Sequence, residues 1–232
     1  MASVGTLAAH FKLDSSQFQA GLKSAQSSLA ATANSIKATG IAIAGFLSVS
    51  AIKHFVDEGI KAASEQEDAT QRMNMSLASA GIWSRKYSEE LENMGAEFQK
   101  TTKFGDEMVQ GVFSQLLLFG ANKDNLKSLT QTVLDLSSAL RIDLASATVL
   151  VTKAMEGSFT ALGKHGIKVD ESVGKTEQLI QLQDQVRRRF GGLAQSEIET
   201  YSGKIAQLTN AHGDFLEEIG NIIIKNPAFI GM

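Results

Sequence analysis

Residues 122–155 read NKDNLKSLTQTVLDLSSALRIDLASATVLVTKAM, and their spacing decides the fold class. Leu126, Leu129, Val133, Leu136 and Leu140 recur at steps of three and four, the period of one helix face. Asp143 is a residue type that accepts hydrogen bonds from the free amides of a helix's first turn, and Ala147, Val151 and Met155 then form a second stripe. Two amphipathic helices are expected, one over 122–140 and one opened by Asp143.

The same period extends outward in both directions. Ser84 is placed to cap a helix over 85–102 through Tyr87, Leu91, Met94 and Phe98. Asp106 opens another through Val109, Val112, Phe113 and Leu116, stopped by Gly120. Upstream, one long helix is expected over 39–80, bent at Gly45 or Gly59 and stopped at Gly81. Before it, Asp14 and Gln17 form a capping pattern for a helix over 15–37 carrying Phe18, Leu22, Ala25 and Leu29. Residues 4–13 alternate weakly, as a short strand does. Downstream, helices are expected over 175–190 and 194–224. The second carries the stripe Ile205, Leu208, Phe215, Leu216, Ile219, Ile222 and Ile223.

Residues 157–174 break the pattern. Gly157, Gly163, Gly166 and Gly174 with the stretch GIKVDES predict a Gly-rich loop or small hairpin. The expected organisation is a strand–helix segment 1–37, a long helix 38–82 with an apolar segment, a helical bundle 83–156, the connector 157–174, and C-terminal helices 175–232. The fold class is all-α, with long amphipathic helices either elongated or bundled. Pro227, the one proline, lies near the end of the sequence, so none interrupts these helices. No heptad run is long enough for a regular coiled coil.

Composition narrows the chemistry. The chain has 232 residues, 43% of them hydrophobic, enough for a core. The absence of cysteine excludes disulfides, thiolate zinc sites and thiol catalysis. Net charge is −3, and the basic cluster Arg187, Arg188 and Arg189 is offset by Asp184, Glu197 and Glu199. That reads as a solvated helix face, and sequence-specific nucleic-acid binding is not expected. The first residues lack a charged segment followed by an apolar one, so no secretion signal is expected, and synthesis and assembly in a cytoplasm follow.

Candidate sites meet plainer readings. The stretch from Gly157 to His165 approaches a phosphate-binding loop. It has five residues between its glycines rather than four, and His165 where a hydroxyl should hold magnesium; a reversal between helices fits better. His10, His54, His165 and His212 stand at no metal-ligand spacing. Glu89–Glu90 and Glu217–Glu218 are neighbours in sequence and so face different ways on a helix. No catalytic residue, cofactor or metal is expected. Lys37 and Lys53 bracket fifteen uncharged residues, 38–52. As a helix these reach roughly 22 Å, short of a bilayer core of about 30 Å. Ile41, Ile43, Phe46, Leu47, Val49 and Ile52 are the candidate contacts with partner helices or a membrane.

The opening LAAHFKLDSSQFQAGLKSAQSSLAA (7–31) and the apolar run GIAIAGFLSVSAIKHFVDEGIKAASEQEDA (40–69) are followed by KAMEGSFTALGKHGIKVDESVGK (153–175) and FGGLAQSEIETYSGKIAQLTNAHGDFLEEIG (190–220). In that order and spacing, covering nearly the whole chain, they resemble the N-terminal region of phage tail tape measure proteins. The resemblance implies a virion structural protein, not an enzyme. Several self-associated copies would lie in the tail lumen while the tail tube protein polymerises around them, with tail assembly chaperones as partners. Length would be the function, and assistance to genome ejection, with host membrane contact, would follow later. A helical chain of this size reaches at most about 350 Å, so a fragment, a truncated member or a short tail is expected. The stretch KNPAFIGM fits a cut end. The alternative is a helical membrane-active protein inserting through 38–52.

Overall fold

The computed structural model describes residues 49–225, with side chains from His54 on, and every regular element among the described residues is helical. The strand expected at 4–13, the helix at 15–37, Gly45, Ile41, Ile43, Phe46 and Leu47 lie outside the described residues. Val49 and Ile52 fall in the first turns of a described helix. Contacts divide the chain between His54 and Phe55, and the architecture below is that of the part from Phe55 on.

The helices are α1 (Val49–Ser79), α2 (Arg85–Thr101), α3 (Asp106–Leu118), α4 (Leu126–Leu140), α5 (Leu144–Met155), the short α6 (Thr160–Lys164), α7 (Lys175–Phe190), the short α8 (Leu193–Ser196), a 3-10 turn (Glu197–Glu199) and α9 (Tyr201–Ile224). Local chemistry explains their ends. Ser84 Oγ accepts from Tyr87 N–H to open α2, and the Asp143 carboxylate accepts from Ser146 N–H to open α5. At the end of α1, Gly81 takes φ +71, which lets Gly81 N–H reach Ala78 O and Ile82 N–H reach Leu77 O. This crossed pair closes the helix and turns Ile82 against the core. The same closure recurs at Gly120, Gly157 and Gly166. Arg141 takes the left-handed conformation without a glycine, at φ 54, and there both its own N–H and that of Ile142 reach Ser137 O.

Helix α4 is the hub of the bundle, packing against α3, α5, α7 and α8. Leu126, Leu129, Val133, Leu134 and Leu136 are all 0% exposed. Around them sit Leu91, Val109, Phe113, Leu116, Ala147, Val151, Leu182 and Val186, each at most 1% exposed, with Met73 and Leu77 of α1. Truncating one such leucine to alanine costs about 2–5 kcal/mol.

Lys127 and Ser128 of α4 are exposed, but its polar residues Thr130, Thr132, Asp135, Ser137 and Ser138 are buried, and each of these is bonded. Thr130 donates to Leu126 O, Thr132 to Ser128 O and Ser137 to Ile142 O. Ser138 donates to Glu197 at 2.6 Å. Asp135, 2% exposed, accepts from Gln131 Nε2 at 2.9 Å and from the backbone N–H of Ala194 at 3.2 Å. It thereby fastens the short α8 to the centre of the bundle. Gln131 and Gln195 exchange side-chain amide bonds beside it.

Two expectations shift. The helix expected from 122 begins at Leu126, because Asn122 and Asn125 bond each other's backbones in a turn of their own. The continuous helix expected over 194–224 is broken at 197–200. There Thr200, with extended backbone, caps α9 by accepting from Gly203 N–H. The Gly-rich connector consists of turns and α6, with no β-ladder. Its Phe159, Leu162 and Ile167 are buried in the common core.

Candidate functional site: the α1–α9 crossing and its groove

Helices α1 and α9 cross where neither has a side chain. A Cβ built on Gly220 would lie 1.9 Å from Gly59 O, so the two backbones touch. Phe55 and Phe215 meet beside the crossing with ring centroids 6.2 Å apart. Helix α1 passes through Gly59 without interruption.

Next to the crossing, a polar network joins four helices around the α2–α3 corner. Gly105 offers no side chain to cap α3, and Gln99 Oε1 does so instead, accepting from Asp106 N–H at 2.7 Å. The Gln99 amide donates to both oxygens of Asp214, at 3.0 and 2.8 Å. Asp106 accepts from Gln66 at 3.1 Å and from Gln110 at 3.3 Å, and Thr70 donates to Gln110 at 3.0 Å. Gln207 of α9 donates to the end carbonyls of α2, Gln99 O and Thr102 O.

This arrangement gathers Asp106, Glu107, Asp214 and Glu217. Desolvation lifts the Glu217 carboxyl to about 7, with repulsion from Asp106, Asp214 and Glu107 adding to it. Desolvation also raises Glu107 and Asp214 above the ordinary carboxylate range. The four carboxylates repel one another, and among the described residues no group of three or more His, Cys, Asp or Glu is placed to hold a metal ion.

Glu217 also lines a groove of about 820 Å³ between α1 and α9. Its rim carries Met75, Trp83 and Ile224, which are 64%, 55% and 44% exposed. Trp83 is held by donating from Nε1 to Asn74 at 3.1 Å. A second groove of about 460 Å³ runs beside Asp135 between α4, α7 and α8.

Of the residues singled out in the sequence, Asp106 and Glu217 fall in this field, and the basic cluster, His165 and His212 fall elsewhere. Arg187, Arg188 and Arg189 are exposed on α7. Arg187 pairs with Asp184, and Arg189 donates to Gly166 O at 2.7 Å. His165 and His212 are exposed and apart from the groove's lining residues. Of the candidate membrane-contact residues, only the backbones of Val49 and Ile52 are described. No described helix is long and apolar enough to cross a membrane. Sequence reading missed the groove and the carboxylate field, whose two halves, Asp106–Glu107 and Asp214–Glu217, lie over a hundred positions apart along the chain. The one local signal was glycine at 59 and 220 inside otherwise regular helices.

No protein-family model, curated protein or solved structure matches this chain.

Proposed function

We propose that this chain is a structural protein of a phage tail, of the tape measure class. It would occupy the tail lumen in several copies, with the tube protein and tail assembly chaperones as partners. The observation that carries the reading is the helical build of the whole described stretch, joined to the order of the four sequence stretches that resemble that family. The 153–175 stretch, degenerate as a motif, has a definite task in this fold: Phe159, Leu162 and Ile167 plug the core.

The bundle refines how length would enter. Helices α2 to α5 are 12 to 17 residues long and fold back on one another. Residues packed this way do not add the 1.5 Å each that an extended helix contributes. The region from α2 to α8 is therefore proposed as a compact domain of the tail protein, with the measuring left to stretches that stay extended.

Deleting the gene from the phage that encodes it tests the class: electron microscopy should show no tails or tails of uncontrolled length, and normal tails would refute the reading. An in-frame loss of about 28 residues between Ser84 and Ile142 tests the refinement. Tail length should stay constant, whereas shortening by roughly 42 Å would make the bundle part of the ruler.

A further inference from the structure

We propose that the groove between α1 and α9 is the docking site of a cationic amphipathic helix from a partner protein. The shape is that of a helix's bed. Its α1 wall runs from Ala63 to Ala78, about 22 Å of helix surface, and the end of α9 forms the facing wall. A partner of about 15 residues laid along α1 would fill it.

The lining sets the partner's chemistry. Single exposed apolar side chains are ordinary on a protein surface, but Met75, Trp83 and Ile224 border one depression, as a docking patch does. The carboxylates lining the same groove are Glu67, Glu92 and Glu217, against one cation, Lys225. Asp106 and Glu107 of α3 and Asp214 of α9 add to the negative field at Glu217, and Lys100 is the cation nearest in effect to Asp214. Gln66 lines the groove as well, its amide held by donating to Asp106 at 3.1 Å. A helix with leucine or methionine on one face and lysine on its flanks answers both the apolar rim and the acidic lining. The raised Glu217 carboxyl agrees, since an arriving cation would restore its charge.

Trp83 is the one tryptophan of the chain, so its emission reports on the groove alone. Full-length protein should be titrated with a 15-residue Leu/Lys amphipathic peptide and with its Leu/Glu counterpart. The Lys peptide is expected to shift Trp83 emission to the blue, saturably, and the Glu peptide to leave it unchanged. Glu67→Gln together with Glu217→Gln should weaken binding by roughly fivefold or more, with helix content by circular dichroism unchanged. Affinity should rise between about pH 6 and pH 8 as Glu217 ionises. Anisotropy of a labelled Lys peptide gives the same affinity independently of Trp83. Equal binding of the two peptides, an unaffected double variant, or flat emission with flat anisotropy each overturns the proposal. The test uses isolated protein and stands apart from the tail assignment, which tail morphology decides.

Discussion

Replacing Asp135 asks whether a buried carboxylate at the middle of α4 holds α8 in place. Asp135→Ala removes the acceptor of the Ala194 N–H, and Ala194 is 0% exposed, so the amide loses its partner. Losing a buried hydrogen bond to a charged group costs about 1.5–3 kcal/mol. Alanine's better helix propensity returns roughly 0.6 kcal/mol. The net loss is then about 1–2.5 kcal/mol, or roughly 3–8 °C in Tm for a unit of this size. Asp135→Asn keeps an oxygen for Ala194, so it should cost less than about 1 kcal/mol. Thermal and urea unfolding followed by circular dichroism measure both variants. If alanine and asparagine cost the same, or alanine costs under about 0.5 kcal/mol, the carboxylate is not fastening α8 and the account given of it is wrong.

Glu217 should make stability fall with rising pH. Its folded-state pKa, about 7, lies above its ordinary value of 4.5, so the folded protein holds a proton that the unfolded chain releases. Stability is lost between those values, and the penalty is complete above pH 7. Glu217→Gln should therefore stabilise by about 1 kcal/mol at pH 8, after allowance for solvent screening, and by nothing near pH 4; urea melts at both pH values would expose an error of sign. Gly213 and Gly220 lie on the same helix with opposite expectations. A Cβ at Gly213 meets nothing within 4 Å, so Gly213→Ala should stabilise by about 0.5–1 kcal/mol. Gly220→Ala drives a methyl into the Gly59 carbonyl and should cost about 1–3 kcal/mol, and equal urea midpoints for the two variants would argue against the close crossing.

The periodic leucines of 126–140 made the central helix legible, since a stripe at steps of three and four has one good solution. The burial of its polar positions was not legible, because Thr130, Asp135 and Ser138 look like a solvent face until Ala194 and Glu197 arrive from sixty residues away. The residue pairs Ser84–Tyr87 and Asp143–Ser146 were visible because a cap is a local event. The break at Thr200 lies ahead of the apolar stripe, which begins at Ile205, so the periodicity carried no sign of it. Gly203 was its trace: a Cβ there would lie 1.9 Å from Glu197 O. On that stripe, Ile205 and Leu208 remain 45% and 40% exposed, because α1 covers only the later turns of α9. The carboxylate field owes nothing to sequence neighbourhood, as Asp106 and Glu217 meet only when α9 returns to the α2–α3 corner.

A helix that touches α3, α5, α7 and α8 at once cannot be loosened piecemeal. Amides of α4 should exchange with deuterium only when the whole bundle opens, at the free energy of global unfolding. Helix α9 is differently placed: beyond Thr200 it is fastened by polar side chains at the α2–α3 corner, by one backbone crossing, and by Leu216, Ile219 and Ile223, which are buried outside the common core. Its residues stand outside the cluster centred on α4, so its amides should report a smaller opening, one that leaves the bundle shut. Two cooperative units would then share one chain, an outer one that undocks readily and an inner one that persists until α4 itself is released.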